Sequence, residues 1–166
     1  MENSITGLII ISVIILAILG LTEGTLSAQA ALAESARTMQ DRLAEQSRTN
    51  IVVESIESSL GGDSVYITLK NIGTTKLADF EHWDVILEYA DTLLAPHVEW
   101  HAYGQWFKQI YFEAPGTLEK IEPNILNPGE EMVITVPVLF TIGGGTTNVA
   151  TVATPNGIAA TAAFVH

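Results

Sequence analysis

The chain has 166 residues and a formal net charge of −12. That is room for one ordinary domain plus an appendage, and so acidic a surface repels phosphate backbones, which excludes nucleic acid as a partner. The chain contains no cysteine, which excludes disulfides, zinc–thiolate sites and thiol catalysis.

The first element is a run of uncharged, almost wholly apolar residues from Ile5 to Leu21, with no basic residue ahead of it. It continues without a break into an Ala-rich, helix-forming stretch that reaches about Arg48. A membrane-spanning helix needs only about 20 residues, and a secretory apolar region about 7–15. At ~1.5 Å per residue, a helix over 5–47 extends about 65 Å, roughly twice what a bilayer requires. Half of it suits lipid; the other half needs a different partner. Two readings of the N-terminus follow. One is a mature form whose basic leader has been removed, and the other a short-headed signal anchor that starts at its own Met. Both put the C-terminal domain outside the cytoplasm.

Two patterns within the helix point to association. Gly20 and Gly24 are spaced as Gly-x-x-x-Gly, and Ala28 extends the small-residue row. Such spacing lets helix backbones approach closely where lipid offers no hydrophobic gain, although a chance match in an apolar helix reads the same way. Beyond it, Leu21, Thr25, Ala28, Leu32, Ala36, Met39 and Leu43 recur at ~3.67 residues per step, the period of a nearly straight seam. Glu34, Arg37, Gln40, Asp41 and Arg42 lie between them. The helix thus changes from apolar all round to apolar on one stripe, and a lone anchor has no use for the stripe. Glu23, between the two zones, fits the membrane interface or a pairing with a neighbouring copy. The predicted helix–helix assembly residues are Ile5, Gly7, Leu8, Ile11, Ile15, Gly20, Leu21, Gly24, Ala28, Leu32, Ala36, Met39 and Leu43.

From Asn50 the pattern changes to short alternating runs separated by turn signals. Ile51–Ile56 reads as a first strand. Val65, Ile67 and Leu69 belong to a second, and Val85, Leu87 and Tyr89 to a third. Val98–His101 and Trp106–Phe112 read as the fourth and fifth. Met132, Ile134, Val136, Val138 and Phe140 share one face of a longer strand, introduced by Asn127-Pro128-Gly129-Glu130. Val149–Ala153 and Ile158–Val165 flank Pro155-Asn156-Gly157, where Asn-Gly signals a hairpin with positive φ at both positions. The predicted fold class is α+β: a long N-terminal α-helix (residues 1–48) followed by an antiparallel immunoglobulin-like β-sandwich (residues 49–166). This second part holds 14 acids against four lysines, a solvated exterior.

Chemistry is sparse. His97, Glu99 and His101 share one face of a strand by the period of two, which is metal-ligand spacing without further ligands. His82 and His166 lack a carboxylate and nucleophile for a Ser-His-Asp arrangement. Gly143-Gly144-Gly145-Thr146-Thr147 has no Gly-Lys-Ser/Thr element for phosphate and reads as a flexible hairpin loop. Asp79, Glu81, Asp84 and Asp91 offer oxygen ligands for calcium but match an ordinary solvated acidic face. Among Trp100, Tyr103, Trp106, Phe107, Tyr111 and Phe112, alternate members are expected in the core and the others at a subunit contact, with a sugar- or protein-binding platform as the other reading. There is no Asn-x-Ser/Thr sequon, so sequon-directed glycosylation is not expected. No cofactor, small-molecule substrate or enzymatic activity is called for.

Ile5-Thr6-Gly7-Leu8 and the apolar run after it resemble the mature N-terminus of archaellins, the subunits of the archaeal flagellum. Leu69-Lys70-Asn71-Ile72-Gly73-Thr74-Thr75-Lys76, the segment from Asp79-Phe80 through Trp83-Asp84-Val85, Asn127-Pro128-Gly129-Glu130 and Thr154-Pro155-Asn156-Gly157 resemble the β-domain of the same superfamily. Type IV pilins usually carry an acid at the fifth position; Ile5 stands there here, which sides with archaellins. The resemblance implies a homopolymeric, cell-surface filament of type IV pilin-like ancestry, used for motility. It implies a membrane-inserted precursor, a prepilin-type peptidase, a secretion and assembly machinery, and helices bundled as the filament core with β-domains as its wall. Three alternatives remain: a membrane-anchored accessory protein of the stator type, an adhesive type IV-like pilin, and an extracellular enzyme or solute-binding module on an anchor.

Overall fold

The computed structural model of the chain describes residues 2–112 and 116–166, with side-chain placement from Gly7 onward except at Thr22. The chain divides into two compact units, Met1–Leu43 and Ala44–His166, each described by itself. Helix α1 runs from Glu2 to Arg48, 47 residues. No proline interrupts it, and strong helix formers carry its second half, so it ends only where its terminal carbonyls find other donors. Thr49 closes the last turn: its N–H and its hydroxyl both donate to the Glu45 carbonyl, each at 3.0 Å. The Thr74 N–H donates to the Arg48 carbonyl at 2.8 Å.

Eight strands follow: β1 Ile51–Ser58, β2 Ser64–Asn71, β3 Asp84–Ala90, β4 Pro96–His101, β5 Phe107–Tyr111, β6 Glu131–Pro137, β7 Thr147–Ala153 and β8 Ala159–Val165. They form two antiparallel four-stranded sheets, ordered β1-β2-β6-β5 and β4-β3-β7-β8. This is the immunoglobulin-like arrangement, in which strands cross between sheets in Greek-key fashion. Period-two alternation drives it. Val65, Ile67 and Leu69 face Met132, Ile134 and Val136 across the β2–β6 ladder, all six fully buried. Val85, Leu87, Ala150 and Val152 supply the opposing sheet's inner face. Trp83 lies beneath, 1% exposed, with its ring centroid 5.1 Å from that of Phe80. The core closes without any disulfide.

Four local expectations are corrected. Strand β6 stops at Pro137, so Val138 and Phe140 lie outside it; the Val138 N–H still donates to the Asp63 carbonyl at 3.0 Å, but the chain then leaves the sheet and the Leu139 N–H turns to the Glu99 carboxylate. At the β7–β8 hairpin only Gly157 is left-handed, φ +85°. The Gly157 N–H donates to the Thr154 carbonyl at 2.9 Å, so Pro155 and Asn156 are the central residues. Pro155, locked near φ −65°, moves the turn one residue earlier than an Asn-Gly two-residue loop. The triple-glycine loop is tied down at both ends. Gly143 N–H donates to Ala90 O at 2.9 Å and Gly145 N–H to His166 O at 2.7 Å. A Cβ on Gly143 would fall 2.4 Å from the Asp91 carbonyl oxygen, so only glycine fits. Finally, the aromatics do not alternate into the core. Of the six, only Trp106 is buried, at 4% exposure.

Candidate assembly surfaces

Two sets of apolar side chains face outward. The first lies on α1. Gly7, Gly20 and Gly24 have open space where a Cβ would project. Leu8, Ile11, Ile15, Leu21, Leu32, Met39 and Leu43 are each more than half exposed, and Ala28 and Ala36 are exposed as well. Ile5 falls among the residues whose side chains lie outside the described set. At ~100° per residue, the seven positions from Leu21 to Leu43 fall within an arc of about 80°, a continuous stripe. Gly24 lies about 40° and Gly20 about 80° outside that arc, so the two glycines do not belong to the stripe. Leu8, Ile11 and Ile15 do not join it, because the helix up to Leu21 is apolar on every side and has no preferred face.

The second set belongs to the β-unit. Strands β1 and β8 face each other at one side of the sandwich, where the Ser58 hydroxyl and His166 Nδ1 are 2.6 Å apart. Strands β4 and β5 are the opposite edges of the two sheets. Along β4 the alternation predicted for His97, Glu99 and His101 is present, and these three turn inward. Val98 and Trp100 point outward, 72% and 60% exposed.

The inward three do not converge on a common centre. His97 Nε2 is 2.9 Å from Asp91 Oδ2, and its ring stacks on Phe140 at 4.4 Å. The Glu99 carboxylate accepts the Tyr89 hydroxyl proton and the Leu139 N–H, the latter at 3.2 Å. His101 Nε2 lies 3.2 Å from Glu99 Oε2 but off the hydrogen-bonding direction, so it is buried without a hydrogen-bond partner, as is Trp106 Nε1. Burial holds the His101 imidazole below its ordinary value and therefore neutral at pH 7. The hydrogen bond from His97, then the Ala95 N–H, keeps the Asp91 carboxyl below its usual range. Burial, helped by the Glu99 carboxylate, pushes the Tyr89 phenol up to about 12.

These groups bind each other and the crossing segment after β6, and among the described residues no serine or threonine hydroxyl is hydrogen-bonded to them. The acids weighed as calcium ligands are likewise dispersed: Asp79 contacts His82, Asp84 the Trp100 indole and Asp91 His97. Among the described residues no group of three or more His, Asp or Glu side chains is arranged to hold a metal.

Three features escaped sequence reading. Gly73 packs against the end of α1, where a Cβ would lie 2.5 Å from the Arg48 carbonyl oxygen. Asn156 ties the β7–β8 turn to the last helical turn, its side-chain amide donating to Thr49 Oγ1 at 2.7 Å and its carbonyl accepting Gln46 Nε2 at 2.6 Å. The turn Asp91–Ala95 carries two exposed leucines with no Gly, Asn or Pro to announce it.

No protein-family model matches the sequence, and no curated protein matches it. Solved structures do. The archaeal flagellum of Methanospirillum hungatei strain JF1 is similar over 96% of this chain and 90% of that one, with 14% identity and a TM-score of 0.62. The archaellum periplasmic stator protein FlaG from Sulfolobus acidocaldarius matches over 70% of this chain and 99% of that one, at 16% identity and a TM-score of 0.53. The archaeal flagellin FlaB1 from Methanocaldococcus jannaschii covers 70% of this chain and 89% of that one, at 13% identity and a TM-score of 0.51. The fold is therefore archaellin-like, a long N-terminal helix followed by an immunoglobulin-like sandwich, and its β-unit is the kind of sandwich that archaeal flagellins and FlaG share.

Proposed function

We propose that this chain is the structural subunit of an archaellum-type filament, polymerising through α1 for motility. One observation carries the reading: a helix more than twice the length of a bilayer span, apolar on every side up to Leu21 and along one stripe beyond it, whose described side chains are almost all exposed within the chain. An apolar helix taken out of lipid stays in solution only when other helices bury it, and identical copies supply the same stripe. The likeness to the Methanospirillum hungatei flagellum over 96% of the chain supports it, because that share must include most of the helix. The assembly residues proposed are those on α1 from Ile5 to Leu43 named above, with the Leu21–Leu43 stripe as the seam. A membrane-inserted precursor, processing by a prepilin-type peptidase, dedicated assembly machinery and a final cell-surface location belong to the same proposal.

A second reading, a membrane-anchored stator-type protein, is favoured by the likeness of the β-unit to FlaG over 99% of that chain. It gives the stripe beyond Leu21 no partner. Electron microscopy of material sheared from cells, with mass spectrometry of its main band, separates the two. Long helical filaments made of this chain are the expected result. Finding the chain only in detergent extracts of membranes, as a monomer or small oligomer, would replace the filament by the anchored protein.

A further inference from the structure

The chain crosses from one sheet to the other between β6 and β7, and two kinds of bond hold that crossing. The N–H groups of Val138, Ile142 and Gly143 donate to the backbone carbonyls of Asp63, Gly62 and Ala90, at 3.0, 2.8 and 2.9 Å. Leu139 and Phe140, between them, depend on ionisable side chains instead. The Leu139 N–H is shared by both oxygens of the Glu99 carboxylate, at 3.2 and 3.3 Å, and the Phe140 N–H donates to the Tyr89 hydroxyl oxygen at 3.2 Å. The Tyr89 hydroxyl in turn donates to Glu99. Leu139 and Phe140 are 77% and 46% exposed, so apolar burial adds little to this anchorage. A short segment held mainly by a few polar bonds is the kind that opens locally while the core stays folded.

His101 stands beside that anchorage. It is 8% exposed, and its Nε2 lies 3.2 Å from Glu99 Oε2, the same oxygen that accepts the Leu139 N–H at 3.3 Å. Nε2 has no hydrogen-bond partner of its own. A buried polar atom left without a partner costs stability and calls for an explanation. Val85 lies opposite His101 on β3. The loop after β4 brings Gly104 and Gln105 to the groove that His101 lines, β5 brings Phe107, and the crossing brings Pro137, Val138 and Leu139. None of these ionises, so Glu99 is the one charged group among the described residues of that groove. Tyr89 reaches the site through its bond to Glu99, and Asp91 faces His97.

We propose that Leu139–Phe140 is an acid-released latch, shut while His101 is neutral and lifted when its imidazole takes up a proton. An imidazolium N–H is a charged donor, and Glu99 Oε2 turns to it from the weaker amide donor of Leu139. Burial works in the same direction. It holds the His101 imidazole below its ordinary value, against the opposing pull of the Glu99 carboxylate. With the latch lifted, water reaches the ring and the ordinary value of ~6.5 returns. The shut state is therefore favoured above pH ~6.5 and loses that advantage as pH falls below it. His97 acts in the opposite sense: protonated, it strengthens its contact with Asp91 Oδ2 at 2.9 Å and keeps its ring stacked on Phe140. The latch goes beyond the filament reading and stands without it. It makes the pH around the β-unit a signal that loosens one crossing and leaves both sheets intact.

Hydrogen exchange in the full chain, corrected for the intrinsic pH dependence of amide exchange, tests the latch. Protection of peptides covering Leu139–Phe140 is expected to fall severalfold between about pH 7.5 and about pH 5.5, while peptides from β2 and β6 hold theirs. His101→Gln and His101→Phe each place there a group that takes up no proton, and either suffices if the other fails to fold. Both are expected to keep the latch protected at the lower pH, whereas His97→Gln keeps the parental pH dependence. Protection that does not change with pH in the parent would overturn the latch, as would a fall that persists in a folded His101 variant. Loss of the pH dependence in His97→Gln would assign the effect to His97 and overturn it likewise.

Discussion

Single residues decide the fine geometry of this molecule, and two of them are open to direct test. Gly157 sits at φ +85°, and a Cβ there would also approach Gln46 Nε2 to 3.4 Å. Gly157→Val forces a β-branched residue into the left-handed region, at a cost of about 1–2 kcal/mol or more. It should lower the melting temperature of the β-unit by roughly 5–10 °C; an unchanged transition in thermal dichroism would show that the turn relaxes freely. Tyr89 gives a pH signature. Its hydroxyl donates to Glu99 and accepts the Phe140 N–H, and its pKa is raised to about 12 in the fold. The unfolded phenol titrates near 10. The raised value favours the folded state below pH ~10, and that contribution is lost as pH rises from there through 12. Melting followed between pH 9 and 12 should fall more steeply for the parent than for Tyr89→Phe; parallel slopes would count against the buried phenol.

At the scale of elements, α1 is the informative one, because its two halves ask for different surroundings. Up to Leu21 it is apolar on every side; from Leu21 to Leu43 it is apolar along one arc and charged elsewhere. Placing Asp at Leu32, 70% exposed in the chain alone, removes nothing from the fold of either unit. In a bundle of helices the same side chain becomes a buried, unpaired carboxylate, which costs several kcal/mol. Leu32→Asp is therefore expected to abolish assembly while the dichroism and melting of the β-unit stay at parental values. Normal filaments from that variant would remove the seam from the filament reading. Among the strands, β4 and β5 are edges, and exposed edges invite pairing unless something guards them. The outward side chains of β4 beyond Pro96, Val98 and Trp100, are apolar where lysine is the common guard, and Pro96 itself guards the start of the edge.

For the whole molecule, charge is the controlling quantity. The formal charge of −12 is concentrated beyond Asn50. Three of the four lysines there are engaged: Lys70 with Glu54 and Glu131, Lys76 with Glu122, and Lys108 over the Phe80 ring. Copies packed side by side repel over a screening length of about 30 Å at 0.01 M salt and 3 Å at 1 M. Filaments should accordingly dissociate at lower temperature in dilute buffer and gain stability as salt rises. Sedimentation across that range checks this, and a salt-independent or inverted trend would place the acids away from subunit contacts.

The sequence by itself determined the architecture. Continuous helix formers without proline dictate one long α1, and period-two alternation puts Val65, Ile67, Leu69, Met132, Ile134 and Val136 in one core; both are local patterns that the backbone must obey. The α1 stripe was legible for the same reason, since helical period alone fixes which residues share a face. Tertiary structure decided what no local pattern encodes. Trp106 enters the core whereas Trp100 and Phe107 remain outside, because the turn after β4 sets which side of each sheet faces inward. Leu94 takes a left-handed conformation because the Asp91 carboxylate and the β3–β4 register close the turn around it, with no glycine to signal it. Gly73 and Asn156 meet the end of α1 across more than 20 and 100 residues of sequence. Such contacts exist only once the sandwich brings its loops together, for period and propensity specify elements, and packing alone specifies which of their surfaces are left uncovered.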